Sequence, residues 1–219
     1  MTDGPHVRAD AAFERTWLDD ESWIDVARGW LAGADEVYAA LVENATWAAG
    51  RVFRYDRWVD VPRLSAHQPA GTPPLHPVLA DAQRALQGRY QVSFGGFSMN
   101  WYRDERDSQA FHRDRDLRWL DETVIALLTL GERRPWLVRP RVNRYDHEAA
   151  DRGAVLDVAP GPGDLHVMGG ATQRGWEHSV PKLSRRTGGR ISVQWRWTSR
   201  QGKPVQGASW RAPRHYSRG

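Results

Sequence analysis

The 219-residue sequence predicts a mainly β fold with flanking helices, a helix-backed sandwich or jelly roll. Three observations carry this. Two helical stretches fall in the first ninety residues. Seven short strand-like runs divided by turn residues follow from residue 97. One of those runs, "TVIALLTL" (123–130), is apolar on both sides, as a central strand requires. Helices gathered ahead of many strands favour helix-on-sheet layers over alternating βαβ units.

In chain order, "SWIDVARGWL" (22–31) alternates loosely and reads as a strand. "ADEVYAALVENATW" (34–47) sets Val37, Ala40, Leu41 and Ala45 on one helical face, with acids in its first turn. "RVFRYDRWVDV" (51–61) alternates again, and "PRLSAHQPAGTPPLHP" (62–77) reads as a proline-thick loop. Pro77 then opens a helix through "VLADAQRALQGRY", with Gly88 near its end. The later strands are "FSMNWYR", "TVIALLTL", "PWLVRPR", "AVLDVA", "DLHVM", "WEHSVP" and "RISVQWRW". Residues 143–153 read as an exposed loop, and "GPGD" (161–164) as a tight turn.

Length bounds the chain to one full-sized domain. Residues 1–16 are expected to be flexible, 17–198 to form the domain, and 199–219 a flexible basic tail. That tail holds Arg200, Lys203, Arg211, Arg214 and Arg218 without an acid, so it accounts for the net charge of +4 and leaves the body near neutral. No apolar run approaches the ~20 residues of a membrane span, and no signal-peptide core is present. The expected setting is therefore cytoplasmic, without membrane association and without an obligate protein partner. Cysteine is absent, so any bound metal must be held by histidine and carboxylate.

"AFHRDRD" (110–116) is where such a site would form. Strand spacing points His112 and Asp114 to one face, and two histidines plus a carboxylate on one face of an octahedron suit iron(II). Spacing leaves the third ligand open between His166 and His178. In "RISVQWRW" the residues Arg190, Ser192, Gln194 and Arg196 share one face, opposite Ile191, Val193, Trp195 and Trp197. If the apolar face lies under the helices, two arginines turn inward and require anionic partners. A dicarboxylate and the metal-binding aspartate would supply them. Ser98, Asn100 and Tyr102 likewise share a face.

Taken in order, "NWYRDERDSQAFHRDRD", "IALLTLG", "GDLHVMGGATQRGWEHSVPK" and "RISVQWR" resemble the AlkB family of iron(II)- and 2-oxoglutarate-dependent dioxygenases. "PRL" (62–64) and "HPVL" (76–79) fit its nucleic-acid-repair branch. The resemblance implies a double-stranded β-helix core. It implies iron(II) held by His112, Asp114 and His178, with 2-oxoglutarate as cosubstrate and O2 as oxidant. Arg190 would take the far carboxylate of 2-oxoglutarate with Asn100 and Tyr102 assisting. Arg196 would sit near the oxo-acid end and brace Asp114. Ser192 stands where an asparagine is common. Trp176 would pack near the iron, and His166 has no task.

The same resemblance implies oxidative demethylation of alkylated bases of the 1-methyladenine and 3-methylcytosine type, in single-stranded DNA or RNA. Asp116 would contact the base's exocyclic amine, and Trp47 stands where some relatives contact substrate. His67 and Gln68 replace aromatics that follow "PRL", and the base-clamping hairpin reads as shortened, with His67, Trp58 or Tyr55 as substitute stacking partners. Two alternatives stay open: the same oxygenase chemistry on a small molecule or protein, and a non-catalytic nucleic-acid-binding module.

Overall fold

The structure is a computed structural model and describes residues 4–54, 56–114, 117, 120–141 and 154–199. The basic tail beyond Ser199, the 142–153 connection, Tyr55 and Asp116 lie outside the described residues. Strands β1 (His6–Val7), β2 (Glu14–Trp17), β3 (Ser22–Ala27) and β4 (Leu31–Ala32) precede helix α1 (Ala34–Asn44). Strands β5 (Ala48–Arg54) and β6 (Arg57–Pro69) lead to α2 (Pro77–Tyr90). Next come β7 (Gly96–Tyr102), β8 (Gln109–His112), β9 (Thr123–Gly131), β10 (Leu137–Pro140), β11 (Leu156–Asp157) and β12 (Leu165–Gly170). The short α3 (Thr172–Gly175), β13 (Trp176–Val180) and β14 (Arg190–Thr198) complete the described chain.

The strands form an eight-stranded sheet in the order β2-β3-β12-β9-β14-β7-β6-β5 and a four-stranded sheet in the order β11-β10-β13-β8. β1 and β4 form a separate pair. This is the jelly-roll arrangement expected from the sequence.

Alternation explains how the large sheet presents two unlike faces. Its outer face buries Ala126, Leu128, Ile191, Val193 and Trp195 against Val37 and Leu41 of α1 and Leu79, Ala82 and Leu86 of α2. Trp195 is fully buried, and its indole N–H donates to Gln83 Oε1 at 3.1 Å. The inner face carries Ile24, Ile125, Leu127 and Met168, packed with Trp136, Val138 and Val180 of the small-sheet side. Three rows of paired residues run across the inner face: Gly131–Arg190–Tyr102, Thr129–Ser192–Asn100, and His166–Leu127–Gln194–Ser98–His67. Gly131 has φ +78°, and a Cβ there would strike the Gly189 carbonyl.

The helices follow local rules. Asp35 and Glu36 occupy the first turn of α1, and Ala34, Val37 and Leu41 are buried. At α2, Pro77 follows the His76 cap, whose Nδ1 accepts from Val78 N at 3.3 Å.

Two expectations need correction. "PRLSAHQP" is not loop but the second half of the 13-residue β6. Pro62 is accommodated where the β5–β6 register shifts between Ala49 and Arg51, and its carbonyl accepts from Ser108 N at 2.7 Å. Together β5 and β6 pair as an antiparallel hairpin. Residues 4–16, expected to be flexible, hold β1 and β2. Arg15 grips buried Asp25 through two hydrogen bonds of 2.7 and 2.8 Å, and Arg89 lies 3.6 Å from the centre of the Phe13 ring.

Candidate metal and cosubstrate site

His112 is the last residue of β8 and stands directly opposite His178 of β13. Opposed residues of an antiparallel pair share a face, so the pairing brings both imidazoles together, with ring centroids 4.3 Å apart. Asp114 lies just past the strand end. Its N–H donates to Gln173 Oε1 at 2.8 Å, and its carbonyl accepts from Leu117 N at 3.0 Å. One ligand atom from each of His112, Asp114 and His178 lies within 4.8 Å of the others. The contact of His112 Nδ1 with the Ala110 carbonyl, 3.0 Å, requires the Nδ1–H tautomer and frees Nε2 for a metal.

The electrostatics agree. Burial pushes both histidines below the ordinary imidazole range, His178 furthest, so both are neutral as ligands must be. Asp114 Oδ2 is buried without a hydrogen-bond partner, although Arg196 Nε approaches it at 3.3 Å. Two neutral imidazoles and a carboxylate with an unsatisfied oxygen fit a divalent cation.

Beside the cluster lies a cavity of about 160 Å³, lined among others by Arg63, Asn100, Tyr102, Trp136, Gln194 and Arg196. Arg190 is fully buried in the inner row with Tyr102. Its Nη2 donates to Thr129 Oγ1 at 3.3 Å, while Nε and Nη1 have no hydrogen-bond partner among the described residues. Burial pushes its pKa down to about 10, which leaves it charged at neutral pH. Nη2 keeps a second N–H beside the unused Nη1 and Nε, so the buried guanidinium can grip a carboxylate at two points through Nη2 and one of these neighbours. Burial raises the Tyr102 pKa, so its phenol stays a donor.

Residues 40–196 match the family model of the 2OG-Fe(II) oxygenase superfamily. The chain belongs to that superfamily. Its cofactors are iron(II) and 2-oxoglutarate, with O2 as oxidant, and the histidine–aspartate cluster fits the metal. This oxygenase is AlkB-like. It is similar to "Alpha-ketoglutarate-dependent dioxygenase alkB homolog 3" of Bos taurus, 29% identical over 182 residues, which cover 76% of this chain and 62% of that protein. "DNA oxidative demethylase ALKBH2" of Homo sapiens is 28% identical over 180 residues, covering 75% of this chain and 69% of that protein. The oxygenase thus spans less than two thirds of its bovine alkB homolog 3 relative. In fold it is similar to a Trichoplax adhaerens prolyl hydroxylase, with a TM-score of 0.54 at 12% identity over 78% of this chain and 82% of that one.

The other sequence-derived candidates are distributed as follows in this oxygenase. Ser192 lines the cavity between the Arg190 and Gln194 rows. His166 is on the large sheet, away from β8, and is not part of the ligand cluster. Trp47 does not line the cavity: it packs with the helix-side core, 5.3 Å from Trp101, and its N–H donates to Leu41 O at 3.1 Å. His67 shares the inward row of Ser98 but is exposed and outside the cavity lining. Trp176 is half-buried, with its N–H on Asp19 Oδ2 at 2.5 Å. Among the described residues, no helix is long and apolar enough to cross a membrane.

Sequence reading missed three side chains at the site. Arg63 lines the cavity and donates from Nε to Asn100 Oδ1 at 3.1 Å. It sits in the stretch taken for a loop. Trp136 stacks on His178 at 5.4 Å and 21°, one tryptophan among twelve with no local mark. Gln173 fixes Asp114 from α3, and nothing in "GATQRG" signals that contact.

Proposed function

We propose that this chain is an iron(II)- and 2-oxoglutarate-dependent oxidative demethylase of alkylated nucleic-acid bases. The observation that carries it is one cavity lined both by the His112, Asp114 and His178 cluster and by Asn100, Tyr102 and Ser192, the register neighbourhood of buried Arg190. In this reading His112, Asp114 and His178 hold iron(II), and Arg190 takes the far carboxylate of 2-oxoglutarate with Tyr102. Bound together with O2, iron and cosubstrate supply a two-electron oxidation: 2-oxoglutarate leaves as succinate and carbon dioxide, and an N-methyl C–H becomes C–OH. The resulting hemiaminal releases formaldehyde and the unmodified base.

The chain's own groups keep that chemistry in place. The Ala110 carbonyl sets the His112 tautomer, Gln173 holds the Asp114 backbone, and Arg196 orients the Asp114 carboxylate. Trp136, Leu127 and Val180 supply the dry wall. Arg63 fixes Asn100 at the cavity edge.

A nucleic-acid substrate is supported by the relatives' names, one of which reads DNA oxidative demethylase. The β5–β6 hairpin adds an exposed aromatic pair, Phe53 and Trp58, in T-shaped contact at 5.7 Å. Such faces stack on bases. Reaching the pairing edge of a base requires a single strand or a flipped nucleotide.

The test is anaerobic reconstitution with iron(II) and 2-oxoglutarate. Air and single-stranded oligonucleotides carrying 1-methyladenine or 3-methylcytosine are then added. Mass spectrometry should find unmodified base, formaldehyde and succinate in equal amounts. Succinate formed only with a small molecule or protein present would transfer the chemistry to another substrate class. Tight oligonucleotide binding with neither metal nor succinate would make the chain a binding module.

A further inference from the structure

His166 is fully buried on β12, and among the described residues neither of its ring nitrogens has a hydrogen-bond partner. Buried polar side chains are nearly always paired, so two empty positions on one imidazole call for a ligand. The neighbours indicate which one. The His166 ring lies 4.4 Å from Trp136, and its register partner is Leu127; both of these residues line the cavity. Two positions along the same inward face of β9, Thr129 accepts from Arg190 Nη2. His166 and Thr129 are diagonal neighbours on adjacent antiparallel strands, about 7–8 Å apart, and Arg190 reaches Thr129 from the next strand, β14. Arg190 leaves two N–H groups unpaired there, and His166 leaves two ring nitrogens.

We propose that His166 is a cosubstrate-binding residue that donates a hydrogen bond to the far carboxylate of the oxo diacid gripped by Arg190. The inference rests on the reading of Arg190 as the carboxylate partner. Burial, reinforced by the charges of Arg190 and Arg28, keeps this imidazole uncharged, so it offers one N–H and one lone pair. The Arg190 fork and the His166 N–H then supply three donors to a group with about four acceptor positions. His166 also fixes where the far carboxylate can sit relative to the metal ligands. It therefore acts as a gauge of cosubstrate length.

The test uses the full chain loaded with Mn(II) under anaerobic conditions, with binding followed by calorimetry. 2-Oxoglutarate is compared with 2-oxobutyrate, which lacks the far carboxylate, on wild type, His166→Leu and Arg190→Met. His166→Leu should weaken 2-oxoglutarate by about 10- to 100-fold. It should leave Mn(II) and 2-oxobutyrate affinities within about twofold of wild type. Unchanged 2-oxoglutarate binding, or equal loss for both compounds, overturns the inference and leaves His166 a packing residue. Arg190→Met tests the underlying reading separately: 2-oxoglutarate affinity that survives it removes the carboxylate subsite itself. If His166→Leu does not fold, the imidazole nitrogens of the 15N-labelled wild type are followed by NMR in the Zn(II)-loaded chain. The His166 signals should shift with 2-oxoglutarate and not with 2-oxobutyrate; shifts absent or equal with both overturn the assignment.

Discussion

Arg196 of the large sheet reaches Asp114 beyond β8, with Nε 3.3 Å from the Oδ2 that has no hydrogen-bond partner. It also donates to Gln194 Oε1 at 2.8 Å, so its fork is held at two points. Removing that charge frees the Asp114 carboxylate to rotate. Arg196→Met should lower Co(II) affinity by about 10- to 100-fold, read by competitive chelator titration. Thermal stability should scarcely change, because the side chain is 44% exposed.

Asp114→Ala removes a ligand rather than its brace, and the loss should reach about 100-fold or more in the same titration. The urea midpoint of the metal-free chain should stay level or rise, since a buried oxygen without a partner disappears with the carboxylate.

Acid should destabilise the metal-free protein. His166 and His178 are almost fully buried and neutral, with pKa values depressed well below 6.5 by desolvation. Above the unfolded value, both states are neutral and stability is level. Below it the unfolded chain takes up protons that the folded chain refuses, so stability falls with falling pH. Between pH 7.5 and 5.5 the loss is on the order of 1 kcal/mol per histidine. Urea unfolding at the two pH values checks it, and His166→Leu should remove about half of the difference.

The hairpin separates binding from folding. Phe53 and Trp58 are 60% and 59% exposed, so changing both to alanine should shift stability by less than about 1 kcal/mol. If the hairpin stacks on bases, single-stranded oligonucleotide affinity should drop by about 5- to 100-fold, seen by fluorescence anisotropy.

What could be read from sequence was what depends on parity. The alternation of "RISVQWRW" set Arg190, Ser192 and Gln194 on one face and Ile191, Val193 and Trp195 on the other, and the structure buries the second set under the helices. The choice between His166 and His178 could not be read this way. Both are buried strand histidines, and what separates them is that β13, not β12, pairs with the strand carrying His112. Such pairing is a long-range property. Pro62 and Pro69 hid β6: Pro62 sits in a bulge that exists only through pairing with β5, and Pro69 is the last residue of the strand. Residues 6–7 and 14–17 carry weak local signals and become strands through β4 and β3.

The unequal exposure of the two arginines on β14 bears on the order of events. Arg190 is sealed at one end of the inner face, whereas Arg196, six residues on, reaches solvent. If the chain acts on methylated bases as proposed, a base admitted on the Arg196 side would stand between solvent and a diacid seated on Arg190. Under the proposed function the diacid would therefore have to load before the base, and succinate would leave after it.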